Sequence, residues 1–228
     1  MVYNLPNQQN VVANMSTDVK ADFIRKVYGI FFISLLVTVG VGFVASQFMQ
    51  TMLGILPIVG IVGMIVGFGM AFTQRMPVVN FLLFALYSCL QGAFLGPYLT
   101  YLSAQYPGLP AEAGWLTISV FGALTVFVFA SKKDFSFIGG FLGIAMIGLI
   151  VAGLVMFFVH AAWLSVIYSV VGVLIFAGYI LYDTSQIMLK LQPGEEVTGA
   201  IDLYLDFVGL FWFILNLLRS RRGLKMRE

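Results

Sequence analysis

Two aspartates, Asp183 and Asp206, stand at the inner ends of apolar runs, each in a tyrosine-leucine context (LYD and LYLD). A carboxylate beside hydrocarbon is costly unless it is paired, hydrated or protonated, so such a residue is a functional candidate by default. Asp206 opens the stretch FVGLFWFIL, and Asp202 lies one turn earlier on the same face. Asp202 has a plain account, because an acid in the first helical turn is favoured by the positive end of the helix dipole. Asp206 is a turn deeper and gains less from it. Asp183 lies about 30 Å along a helix from Trp163, so its position alone fits an interfacial acid in water equally well. Two carboxylates sharing a site hold a proton between them, and an arriving cation competes with that proton. Oxygen ligands suit Ca²⁺, which tolerates flexible coordination, so Asp183 and Asp206 are the candidate proton and Ca²⁺ ligands. Arg75 ends the second apolar run on the same side as both acids. It is a candidate counter-charge and latch, although a cationic anchor at the membrane surface is the plainer reading.

Little else offers chemistry. The chain has one histidine, His160, and one cysteine, Cys89, which leaves no disulfide and no multi-cysteine metal site. H-E-x-x-H, G-x-S-x-G and the phosphate-binding G-x-x-x-x-G-K-[ST] are all absent. The expectation is a protein that is not an enzyme and needs no cofactor, with Ca²⁺ entering as a transported ion. No basic patch interleaved with aromatics argues for a nucleic-acid partner. The partner that composition demands is membrane lipid.

The elements that position the acids are spanning helices. Of 228 residues, 61% are hydrophobic and 10% charged, with a mean hydropathy of +0.99. Soluble domains carry about 25% charge. A span needs about 20 mostly apolar residues. Runs of that kind cover 27–48, 52–72, 78–101, 115–130, 135–159 and 163–189, with a shorter seventh at 201–218. The chain divides into a flexible polar tail (1–22), one multi-pass domain (23–218) and a basic tail (219–228). A cytoplasmic N-terminus puts Lys20, Arg25, Lys26, Arg75, Lys132, Lys133 and Lys190 inside and leaves the outer loops without a cation. The seventh run is ambiguous. A full crossing strands the five C-terminal cations outside, so the positive-inside rule favours a dip and return; an enclosed central helix overrides it.

Other features have structural readings. The Gly63/Gly67, Gly92/Gly96 and Gly139/Gly143 pairs suit close helix packing within the chain. Gln91 is expected to hydrogen-bond across a helix interface. Lys132-Lys133-Asp134 reads as a cytoplasmic turn facing anionic headgroups.

The segments KKDFSFIGG (132–140), GYILYDTSQI (178–187), LYLDF-x-x-LF (203–211) and FALYSCLQGAFLGPYL (84–99) resemble the Bax inhibitor-1 family, in its bacterial branch. The resemblance covers nearly everything after the polar tail. It implies an all-α bundle of seven transmembrane helices, the last enclosed by the other six, in a bacterial inner membrane. It also implies a pH-sensitive calcium leak controlled by an aspartate pair, which the motifs map to Asp183 in LYDT and Asp206 in LYLDF. The chain departs at Gly209, where relatives often carry Asn, and Asp202 looks like an addition. Some bacterial relatives instead modulate a membrane-bound ATP-dependent protease, which is the alternative expectation. Those relatives can lack the second aspartate; its retention here favours the leak.

Overall fold

The computed structural model describes residues 11–74, 76–159 and 161–225. Arg75 and His160 lie outside the described residues, as do residues 1–10 of the polar tail. No strand occurs among the described residues. Among the described residues, seven helices are long and apolar enough to cross a membrane: α1 (Thr17–Ser46), α2 (Met49–Phe72), α3 (Pro77–Gln105), α4 (Leu109–Ser131), α5 (Gly139–Phe158), α6 (Ala162–Leu189) and α7 (Glu196–Lys225). Helices satisfy every backbone polar group within one segment, which hydrocarbon requires. Large apolar side chains such as Ile33, Leu36, Phe68, Ile144 and Leu174 are more than 60% exposed, which suits lipid and not water.

Two helix boundaries differ from expectation. The stretch 103–114, which Pro107 and Pro110 mark as a loop in the sequence, is mostly helix. Gly108, at φ 77°, turns the chain, and Pro110 sits in the first turn of α4, where its missing N–H is no loss. α7 is an unbroken helix of 30 residues, about 45 Å long, because its charged ends continue beyond the apolar core of the run.

The chain forms two compact units. Unit one contains α1, α2 and α3 with Leu191–Tyr204, hence the first part of α7. α1 and α3 meet backbone to backbone: a Cβ on Gly96 would collide with the Gly42 backbone, and one on Gly92 with the Thr38 carbonyl. The Gly92/Gly96 pair thus packs within the chain, as its spacing predicts. Tyr204 is fully buried against the edges of Phe84 and Tyr87, with ring centroids 5.2 and 6.0 Å away. Its hydroxyl is hydrogen-bonded to Thr38 Oγ1 at 2.6 Å, and Thr38 finds the Ser34 and Ser88 carbonyls at 2.9 and 3.1 Å. Gln91 donates to the Tyr87 hydroxyl one turn earlier at 2.8 Å, within its own helix and not across an interface. Val12 is fully buried, and its amide donates to the Leu191 carbonyl at 2.9 Å, which anchors part of the expected tail.

Unit two contains Gly108–Lys190, hence α4, α5 and α6, and the chain from Leu205 onward. α6 and α7 interlock through glycines. A Cβ on Gly172 would overlap the Phe213 ring, and a Cβ on Gly209 would overlap the Phe176 ring. Phe121 meets Phe207 edge to face at 5.3 Å. At one end of this unit Asp134 pairs with Lys190 at 3.2 Å. At the other end Ser165 bonds Ser220 at 2.9 Å, and Arg222 pairs with Glu112. The second part of α7 therefore runs antiparallel along α6 to the far end of the unit. The dip and return that the cation distribution favours does not describe it, and Glu112 offsets one of the stranded cations.

Candidate proton and cation site

α6 and α7 bring Asp183 and Asp206 together. Asp183 lies about two turns before the end of α6, and Asp206 is the eleventh residue of α7, about 15 Å from its start. The Gly209–Phe176 and Gly172–Phe213 contacts fix how the two helices mesh, one and two turns beyond Asp206 along α7. The mesh continues to the acids and sets the Asp183 and Asp206 carboxyls against each other. Asp206 is 4% exposed, so it is no solvated helix-end acid. Asp183 is half-buried.

The contact has a chemical consequence. An ionised carboxylate only accepts hydrogen bonds, so two facing carboxyls bond to each other only when they hold one proton between them. At an effective dielectric of 20, two unit charges 4 Å apart repel by about 4 kcal/mol, which disfavours removal of that proton unless a cation takes its place. Among the described residues, no group of three or more His, Cys, Asp or Glu side chains is arranged to hold a metal. A cation at the pair would therefore draw on these two carboxyls and complete its shell with water or neutral oxygens. Ca²⁺ takes six to eight oxygens, so two acids suit a passing ion better than a stored one.

The other expected site residues are placed differently. Asp202 is half-buried in the second turn of α7, within unit one. Tyr179, one turn before Asp183, stands within electrostatic reach of both acids. Its four-residue spacing from Asp183 is the sequence signal that could have identified it. Tyr204 carried no comparable signal beyond its place in the LYLD motif. The KKDFSF segment serves α6: the Ser136 hydroxyl and amide both donate to Asp134, Gln186 Nε2 donates to Ser136 Oγ at 2.6 Å, and Ser185 Oγ accepts from the Phe135 amide at 3.2 Å. The Ser136 side chain, its amide and then Lys190 hold the Asp134 carboxyl below the usual carboxylate range.

The motifs extend to whole-chain matches. The family described as inhibitor of apoptosis-promoting Bax1 matches residues 20–223. Bax inhibitor 1 of Schizosaccharomyces pombe is 35% identical over 214 residues, covering 91% of this chain and 79% of the relative. The Golgi anti-apoptotic protein of Vaccinia virus (strain Lister) is 32% identical over 218 residues, covering 93% of this chain and 91% of the relative. An uncharacterized membrane protein of Vibrio cholerae is 36% identical over 180 residues, covering 75% and 79%. With seven spanning helices and a family match across them, this multi-pass membrane protein belongs to the Bax inhibitor-1 family.

Proposed function

We propose that this protein is a pH-sensitive leak for Ca²⁺, or a cation like it, in a bacterial inner membrane, with the Asp183–Asp206 pair as its proton and ion site. The observation that carries the reading is the close approach of the Asp183 carboxyl to a nearly inaccessible Asp206. The shared proton keeps the pair at a single negative charge. A cation that enters replaces the proton, and a proton that returns expels the cation. Lowering the pH therefore weakens cation occupancy of the pair. Asp202, ahead of the pair on α7, is accessory. The N-terminus is cytoplasmic.

The test is Ca²⁺ flux into proteoliposomes across roughly pH 5 to 8, the range over which a switch at physiological pH is read. The wild type is expected to give a flux that changes with pH, and Asp206→Asn, folded and inserted, to flatten the dependence. An unaltered pH dependence in Asp206→Asn would sink the reading. No flux above empty liposomes would favour the protease-modulator function instead; deletion of residues 1–20 would then abolish activity, while Asp183→Asn/Asp206→Asn would retain it.

A further inference from the structure

On unit two, α5 and α6 enclose an open groove of about 840 Å³. Leu142, Leu149 and Met156 line it from α5, and Ile167, Leu174 and Gly178 from α6. From Ile138 at one end of the lining to Met156 at the other, α5 rises about 27 Å, close to the roughly 30 Å of a bilayer's hydrocarbon core. The walls are hydrocarbon almost throughout. Gly148 stands in the wall with nothing within 4 Å of the place a Cβ would occupy.

Charge stands at the Ile138 end of the groove. The chain enters the groove at Ile138 from the segment that carries Lys132 and Lys133, both exposed. The adjacent Asp134 is engaged by Lys190, so among these described charges it does not neutralise the two lysines. Phe137, 80% exposed beside them, is the kind of aromatic that sits at headgroup depth.

We propose that this groove holds one resident anionic phospholipid, with an acyl chain along α5 and α6 and the phosphate against Lys132 and Lys133. The occupant must be apolar along its length and anionic at one end, and a phospholipid is both. The helix of a second copy would have to place one of its few acids at the end of an apolar span to meet the lysines. A loosely associated lipid needs neither the groove nor the pair of charges. Each lysine near an anionic surface strengthens binding several-fold, so two favour an anionic headgroup over a zwitterionic one on the order of 10-fold or more.

The test uses the full chain equilibrated in detergent micelles holding equal amounts of phosphatidylglycerol and phosphatidylcholine, with retained lipid counted by native mass spectrometry. The wild type is expected to keep one phosphatidylglycerol per chain. Lys132→Gln/Lys133→Gln is expected to bring the preference down to near parity. Gly148→Leu fills open space and raises helix propensity, so it should fold, keep both lysines and lose the bound lipid. Equal retention of the two lipids by the wild type would overturn the proposal. So would full retention by Gly148→Leu, or a wild-type dimer carrying no lipid.

Discussion

Tyr204 and Asp206 are two residues apart on α7, and opposite chemistry holds them. Tyr204 belongs to unit one and sits in a neutral network, where a hydroxyl, a threonine and backbone carbonyls satisfy one another. Asp206 belongs to unit two and meets another acid. A neutral network has one protonation state, so it fixes a helix and nothing more. An acid pair has at least two protonation states, and its helix contacts must tolerate both. The contrast teaches that in a membrane a buried polar group reads as structural or as functional according to whether its partners leave a proton in play.

The contrast can be broken at several points. The largest effect is expected in the close backbone crossing of unit one. Gly96→Val drives a side chain into the Gly42 backbone, so little monodisperse protein should survive size-exclusion chromatography, whereas Gly63→Val, with nothing within 4 Å of its Cβ, should behave as wild type. In unit two, Gly209→Ala overpacks the Phe176 ring and should cost about 1–3 kcal/mol in a detergent unfolding assay. Thr38→Val removes the partner of Tyr204 and should cost about 0.6 kcal/mol, an average for interhelical hydrogen bonds in membranes, without altering the pH dependence of flux.

The smallest effect belongs to Asp134. Its carboxyl is held below the ordinary range in the folded chain, so its contribution is present above the unfolded value near 3.9 and is lost as pH falls through the lowered one. The ion pair with Lys190 is half-exposed and worth at most about 1 kcal/mol. Asp134→Asn should therefore lower the melting temperature slightly at pH 7, and the gap to wild type should shrink at pH well below the carboxylate range.

The seven helices were legible because each carries an apolar run long enough to span, and that signal needs no tertiary information. Their ends were not. The prolines at 107 and 110 suggested a loop, yet Pro110 falls in the first turn of α4, where proline costs no hydrogen bond. The fate of α7 turned on partners: the cations of its distal end argued against crossing until Glu112 and Ser165 were found beside that end. The two acids were legible one at a time, from their apolar flanks. Their meeting was not, because a polar loop and parts of two helices separate them in sequence. Gly209, legible only as a departure from relatives' Asn, is explained by the Phe176 ring that fills its place.

The central claim is that a cation at the Asp183–Asp206 pair displaces a proton. Its most direct test is to add Ca²⁺ to the purified protein in a weakly buffered solution near neutral pH and record proton release alongside ion binding. The account predicts about one proton released per ion bound, with the release gone in Asp206→Asn. Ca²⁺ binding without proton release, or release that survives in Asp206→Asn, would contradict it.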